Sequence, residues 1–307
     1  MARSELAERV AVAALGVPVA AAAIYMGGWV LGVLLAAVAA GAAYELYRLA
    51  RRRGVRPFVL PGALTAGLLV LIAAGRPDPL ASAPLLWSLL LVLLLGTAIA
   101  AIFTHGPDGH PLPAVSVTVA GALLTGGTLA YALYLRHLPA EAVAFAGGGL
   151  ATRDAEHAAW VGRALVAYPL VLTWVNDSFA FFGGRLFGRR RLAPRVSPGK
   201  TVAGAVAGLI GTVFLGAVYA GLVFGRWLDV PIGGVAAVVG AVVISVIAQL
   251  GDLAESLLKR EAGVKDSGRV FRGHGGILDR FDALFFTIPA AYWYLTLVLR
   301  SGGGPWL

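Results

Sequence analysis

Residues 245–282 have the sequence SVIAQLGDLAESLLKREAGVKDSGRVFRGHGGILDRFD and place polar and charged side chains within a very apolar chain. In a helix that turns 100° per residue, polar residues spaced by four, three, four and three fall on one narrow face. These residues are Ser245, Gln249, Asp252, Ser256 and Lys259. Polar groups in or beside hydrocarbon tend to face a bundle interior or a water-filled cavity. The stretch therefore predicts one helix that borders one polar cavity.

Three aspartates of this stretch are candidate metal ligands. Asp279 and Asp282 are three residues apart and can share a helix face, and we expect them to converge with Asp252. Three carboxylates would suit Mg²⁺ held by protein oxygens and substrate phosphates. Alternatively, Asp279 and Asp282 only cap the last helix, where acids are favourable. On either interpretation, Asp279→Asn should barely change stability, because asparagine caps a helix as well as aspartate.

The composition of the chain is that of a polytopic membrane protein. Of its 307 residues, 59% are hydrophobic and only 13% are charged, whereas about a quarter are charged in soluble domains. A helix needs about 20 apolar residues to span a bilayer. Nine apolar runs predict nine spans in an all-α fold, with bounds near residues 26 (the end of the first run), 27–46, 58–74, 82–103, 112–135, 158–181, 201–224, 232–252 and 281–299.

The distribution of positive charge predicts the orientation of these spans. Alternate loops carry 19 lysines and arginines on one side and 6 on the other, and cytoplasmic loops carry the excess. We therefore expect a cytoplasmic N-terminus, a site that faces the cytoplasm, and an integral protein of the cell membrane. The net charge of +9 then reflects orientation, and we expect no nucleic-acid partner. The predicted organisation is an N-terminal bundle over 1–136, an external linker over 137–157 and a C-terminal catalytic bundle over 158–307.

Two further motifs lie on the predicted cytoplasmic side. Asn176 and Asp177 end the sixth span, where either a site or a structural hydrogen bond between helices would explain them. In the segment Ser197-Pro198-Gly199-Lys200-Thr201, serine and proline predict an N-cap and first helical turn. The free N–H groups of such a turn could bind phosphate. We assign the arginines at 185 and 189–191 to topology and anionic lipids, and leave Glu45 out of the site.

The motifs together resemble the signature of the phosphatidate cytidylyltransferase (CDP-diacylglycerol synthase) family. The matching run is Ser256-x-x-Lys259-Arg260-x4-Lys265-Asp266-x-Gly268, then Gly273-His274-Gly275-Gly276-Ile277-x-Asp279-Arg280-Phe281-Asp282. The resemblance extends to Asn176-Asp177 and to the Ser-Pro-x-Lys-Thr element at 197–201. The chain departs from the family pattern at four positions: Phe181, Gly199, Ala203 and Arg272.

The resemblance implies transfer of CMP from CTP to phosphatidic acid by a homodimer in contact with membrane lipids. It also implies Mg²⁺ and leaves a second cation open. Asp252, Lys259, Asp279 and Asp282 are the expected catalytic residues, and the three aspartates among them are the expected metal ligands. The expected substrate-binding residues are Asn176, Asp177, Ser197, Lys200, Thr201, Ser256, Arg260, Lys265, Asp266, His274, Gly275, Gly276 and Arg280. A cation-coupled transporter is the alternative, because intramembrane acids also mark ion paths.

Overall fold

A computed structural model describes residues 14, 16–145, 154–230, 232–268 and 275–300, and this part of the chain is mainly α-helical. The helices are α1 (Gly16–Met26), α2 (Gly28–Arg52), α3 (Val59–Gly75), α4 (Pro79–Thr104), α5 (Pro111–Ala122), α6 (Thr128–Phe145), α7 (Ala155–Phe187), α8 (Val202–Tyr219), α9 (Gly234–Glu261), α10 (Leu278–Phe281) and α11 (Leu284–Arg300). A π-helical turn, Leu123–Gly127, joins α5 to α6, and a second, Ala220–Trp227, extends α8. The strands β1 (Arg191–Ala193) and β2 (Ser197–Thr201) lie between α7 and α8.

The helices confirm an integral membrane protein of the all-α class. Within the described residues, seven helical stretches are long and apolar enough to cross a bilayer, and α1 and α3 are shorter apolar helices. Each lies at one of the apolar runs read from the sequence, since hydropathy alone locates such segments. The count of nine membrane spans and the cytoplasmic N-terminus stay predictions.

The predicted helix start at Ser197 and Pro198 is wrong. Residues 197–201 form β2, which pairs antiparallel with β1, with Arg191 opposite Thr201 and Ala193 opposite Ser197. The residue before a proline is driven out of the α region, which favours extended backbone at Ser197. Helix α8 begins only at Val202, after the N-cap Thr201, whose side chain accepts a hydrogen bond from Gly204 N at 3.0 Å.

The contacts within the chain divide it into two compact units. The first comprises residues up to Leu133 together with Leu258–Asp282. Its core is built around Tyr47 of α2, which is fully buried and donates its hydroxyl to Thr118 O at 2.7 Å. Gly62 and Gly121 face the Tyr47 ring so closely that a Cβ on either would collide with it. Small residues therefore allow the close helix approach typical of membrane bundles.

The second unit comprises Tyr134–Leu257 and the chain from Ala283 onward. Helices α7 and α8 pack through small residues: Gly183 meets Ala207, and Gly208 meets the backbone and side chain of Asn176. Helix α11 is tied to α7 by the buried hydroxyls of Thr173 and Thr287, 3.1 Å apart. This division differs from the bundle boundaries predicted from the sequence at residues 258–282, and the predicted domain organisation stays a prediction.

Candidate active site

A cavity of about 620 Å³ lies in the second unit. It is lined by the C-terminal parts of α7 and α9, the N-terminal part of α8 and the β1–β2 hairpin, on the side predicted to be cytoplasmic. Its ionic lining consists of Asp177, Arg185, Arg191, Lys200 and Asp252, and apolar side chains such as Phe181 and Leu192 complete the wall. Three cations against two carboxylates give the lining a positive balance at neutral pH. Such a cavity suits a ligand that carries several negative charges.

Lys200 and Asp252 form the central ion pair of this cavity. Lys200 Nζ lies 2.6 Å from Asp252 Oδ2, and the two side chains are 25% and 33% exposed. The hairpin aims Lys200, because it ends at the N-cap of α8, while Asp252 lies on the polar face of α9. Ser256, one turn later, donates to Asp252 Oδ1 at 3.4 Å. The sequence therefore identified both members of the pair but not their contact.

The second carboxylate of the cavity is Asp177 of α7, whose side chain is exposed. Its electrostatic interaction with Asp252 is unfavourable and that with Lys200 is favourable. A cation between two like charges relieves their repulsion, and Mg²⁺ is commonly held by one or two carboxylates together with substrate phosphates. The donor set of Asp177 and Asp252 therefore fits Mg²⁺. Over the described ranges, no three acidic or histidine side chains gather as a ready-made metal site.

Asn176 joins the helices that carry these ionic groups. Its side chain is 1% exposed, and its Oδ1 accepts from Ser245 Oγ at 2.8 Å and Gln249 Nε2 at 3.2 Å. Gln249 Nε2 also lies 3.2 Å from Ala205 O of α8. The N-terminal part of the polar face on α9, at Ser245 and Gln249, thus forms hydrogen bonds to α7 and α8. This geometry favours the interhelical hydrogen bond over substrate contact for Asn176.

A second polar cluster lies in the first unit, around Asp279 of α10. Lys259 Nζ donates to Asp279 Oδ1 at 2.8 Å, and the two side chains are only 12% and 8% exposed. Oδ2 accepts from Gly276 N at 2.7 Å, Ser267 N at 2.9 Å and Ser267 Oγ at 3.0 Å. Three N–H donors and the shared Ser267 hydroxyl thus occupy most of the roughly four acceptor positions of a carboxylate. A metal ion at Asp279 would therefore have to compete with these donors.

Glu45 belongs to the same cluster, although the sequence analysis left it out. It comes from α2 and is 2% exposed. Its Oε2 accepts from Ser267 Oγ at 2.8 Å and from Leu278 N at 2.9 Å. The available signal was a single acid in the apolar run of α2, but nothing local indicated a partner more than 200 positions away.

The other predicted site residues lie in varied surroundings. Thr201 is buried as the cap of α8, and Arg260 Nη1 donates to Val264 O at 3.1 Å as a helix-end contact. Lys265, Asp266 and Arg280 are exposed, and Ser197 and Asp282 are half-buried. Gly275 has φ of 80° and faces Asp279, so its backbone favours glycine. His274 lies outside the described residues.

The structure therefore assigns the predicted site residues to two clusters, each described within its own unit. Asp177, Lys200, Asp252 and Ser256 belong to the second unit, whereas Lys259, Gly276 and Asp279 belong to the first. The expected convergence of Asp252 with Asp279 and Asp282 stays a prediction. Arg185 and Arg191 were not predicted as cavity residues, because a run of arginines near a span is usually a topology signal.

Comparison with known proteins identifies the relatives of the chain. A family model described as "Cytidylyltransferase family" matches residues 7–298. A phosphatidate cytidylyltransferase of Synechocystis sp. is 30% identical over 302 residues, which cover 95% of this chain and 97% of that protein. A phosphatidate cytidylyltransferase of Haemophilus influenzae is 41% identical over 147 residues, or 47% of this chain and 49% of the relative. That of Thermotoga maritima is 42% identical over 132 residues, or 43% and 48%. The two bacterial matches at higher identity thus span about half of each relative.

Proposed function

The chain belongs to the cytidylyltransferase family, and from this premise we propose that it transfers CMP from CTP to phosphatidic acid. The products are CDP-diacylglycerol and pyrophosphate, so the enzyme acts in phospholipid biosynthesis. Phosphatidate cytidylyltransferase is the printed name of the Synechocystis relative that matches along nearly its whole length. The observation that carries the proposal is the cavity in which Lys200, Arg185 and Arg191 outnumber Asp177 and Asp252.

The chemistry requires charge neutralisation more than it requires a base. An oxygen of the lipid phosphate attacks the α-phosphorus of CTP and forms a new P–O bond, while the bond from the α-phosphorus to the bridging oxygen breaks and pyrophosphate leaves with its electron pair. The nucleophile is already an anion, so no side chain has to remove a proton from it. The obstacle is the repulsion between two anions, and fixed cations at the phosphates reduce it.

The residues of the cavity divide this task between them. Lys200 is a compact charge held in place by Asp252, and we assign it to the phosphates of CTP. Arg185 and Arg191 have planar donor groups that suit the phosphate of the lipid acceptor. They line the cavity with Phe181 and Leu192, whose apolar surfaces suit the adjoining acyl region of that lipid.

We propose Mg²⁺ as the cofactor, with Asp252 as principal ligand and Asp177 beside it. When bound, the ion supplies charge neutralisation at phosphate oxygens. The predicted ligands Asp279 and Asp282 belong to the other unit, and their part in holding the ion stays a prediction. A second cation stays a prediction. We also propose a homodimer, which the family resemblance supports, and a site that faces the cytoplasm, which the distribution of positive charge supports.

A comparison of acceptor lipids tests the function. The purified protein in mixed micelles should form a CDP-lipid from CTP and phosphatidic acid. Diacylglycerol should not replace phosphatidic acid, because it lacks the attacking phosphate oxygen. If CTP and phosphatidic acid gave no CDP-lipid, whereas proteoliposomes with the protein conducted a cation down its gradient, the cation-transporter interpretation would replace the enzyme.

A further inference from the structure

Glu45 is a buried acid in an apolar helix, and the proposed reaction has no direct use for it. It is the sole acidic residue in the sequence of α2, and its side chain is 2% exposed. Placing a carboxylate in such surroundings is costly unless hydrogen bonds compensate. The contacts of Glu45 therefore require an explanation beyond helix packing.

The carboxylate of Glu45 binds the chain on both sides of the segment from Gly268 to Ile277. Its Oε2 accepts from Ser267 Oγ at 2.8 Å, just before this segment, and from Leu278 N at 2.9 Å, just after it. One oxygen atom thus joins the two ends of the glycine-rich segment, and α2 serves as the fixed support.

Two glycines at these ends leave space for the carboxylate. A Cβ at Gly268 would collide with Glu45 Oε1, and a Cβ at Gly276 would collide with Glu45 Oε2. Their backbone dihedral angles do not explain the need for glycine, because neither residue has positive φ. The close approach of Glu45 explains it instead. The two glycines and the acid therefore form one packing unit.

The same serine links Glu45 to Asp279. Ser267 donates its N–H group to Asp279 Oδ2 at 2.9 Å, and its single hydroxyl proton is shared between Glu45 Oε2 at 2.8 Å and Asp279 Oδ2 at 3.0 Å. Asp279 Oδ1 in turn accepts from Lys259. Glu45 can therefore influence the orientation of Asp279 and its lysine through Ser267, and this influence rests on contacts within one unit.

We propose that Glu45 is a positioning residue of the cytidylyl-transfer reaction, which holds Asp279 through Ser267 in its working orientation. The proposal rests on the proposed function, because Asp279 has to contribute to that reaction. Among the described residues, no donor reaches Glu45 Oε1. Both described hydrogen bonds of Glu45 go to Oε2, so the positioning role requires only that oxygen.

Three substitutions at Glu45 separate positioning from folding. Glu45→Ala removes the hydrogen bonds to Ser267 Oγ and Leu278 N. It should lower kcat about 100-fold per folded molecule, the scale expected for a displacement of about 1 Å at a reacting group. KM for CTP should stay within about threefold of wild type. Glu45→Gln keeps an oxygen for Ser267 Oγ and Leu278 N, so kcat should stay within about threefold of wild type. Glu45→Asp withdraws the carboxylate by one methylene and should fall between the two.

Ser267→Ala tests the route from Glu45 to Asp279. The single variant should lower kcat about tenfold. Combined with Glu45→Ala, it should add less than about threefold to the effect of Glu45→Ala alone, because two residues that act through one contact are not additive. If Glu45→Ala does not fold, Ser267→Ala and Glu45→Asp still decide the matter, and wild-type kcat in both would overturn the proposal.

Tyr47→Phe is the matched control. Tyr47 lies on α2 two residues from Glu45, and the variant loses the buried hydrogen bond from its hydroxyl to Thr118 O, an atom of α5 rather than of the 267–279 segment. The control should lower the melting temperature but keep kcat within about threefold. Wild-type kcat in folded Glu45→Ala would overturn the positioning role, whereas an inactive wild-type protein would instead overturn the proposed function.

Discussion

Asp279→Asn should destabilise the protein strongly, because the structure shows Asp279 in a nearly buried ion pair with Lys259. Its side chain and that of Lys259 are 8% and 12% exposed. If the amide oxygen of asparagine keeps the three donors at the Oδ2 position, the amide N–H₂ group must face Lys259 Nζ, so two donors meet. The expectation of little stability loss, drawn from capping alone, therefore changes.

The magnitude follows from burial. Loss of one charge-assisted hydrogen bond costs about 1.5–3 kcal/mol, and removal of one partner from a buried pair costs about 3–5 kcal/mol. We expect Asp279→Asn to lower the free energy of unfolding by about 3–5 kcal/mol, the range for a buried pair that loses one partner. Lys200→Met breaks a slightly shorter pair, 2.6 Å against 2.8 Å, whose side chains are more accessible, at 25% and 33% exposed. Ion pairs that solvent reaches contribute about 0–1 kcal/mol.

Unfolding of both variants in the same detergent measures this contrast directly. Lys259→Met and the double variant Lys259→Met/Asp279→Asn complete a double-mutant cycle, in which the double variant should lose less than the sum of the two single losses. Equal and small losses in Asp279→Asn and Lys200→Met would refute the reasoning from burial. Additive losses in the cycle would show that the Lys259–Asp279 contact does not stabilise the fold.

Three further predictions concern the cavity and its supports. Asp252→Asn should abolish CDP-lipid formation at every Mg²⁺ concentration tested while changing stability by less than about 1 kcal/mol, and activity restored by added Mg²⁺ would contradict the assigned role. Thr201→Ala should cost about 1 kcal/mol of unfolding free energy, because it removes the N-cap of α8, whereas Thr201→Ser should keep it; equal stabilities of the two variants would argue against the cap. A periplasm-active reporter fused within residues 189–195 should be silent, because the positive charges there predict a cytoplasmic loop, and an active fusion would reverse the proposed topology.

The sequence predicted the helices well because each apolar segment carries its own signal. The run at 82–103 lies inside the helical stretch Pro79–Thr104. The run at 201–224 starts one residue before the helical stretch Val202–Trp227 and otherwise lies inside it. Hydropathy and helical periodicity are local properties, so they could also place Ser245, Gln249 and Asp252 on one face of α9. The sequence similarly indicated the ionic character of the candidate site.

The parts that sequence reasoning missed depend on contacts between distant residues. Glu45 and Ser267 are 222 positions apart, and no local pattern connects them. The β1–β2 hairpin was mistaken for a helix start because the Ser-Pro pair occurs in both settings, and only the pairing of Arg191 with Thr201 distinguishes them. The sequence left a site residue and a hydrogen bond between helices both open for Asn176, and its partners on α9 favour the hydrogen bond.

The fate of the phosphates of CTP tests the central claim most directly. The purified protein should be incubated with phosphatidic acid and with CTP labelled at either the α- or the γ-phosphate, beside the Asp252→Asn variant. Cytidylyl transfer predicts that the α-label enters the lipid, that the γ-label appears in pyrophosphate in equal amount, and that the variant shows neither. Transfer of the γ-label to the lipid, or no label in the lipid at all, would contradict the account.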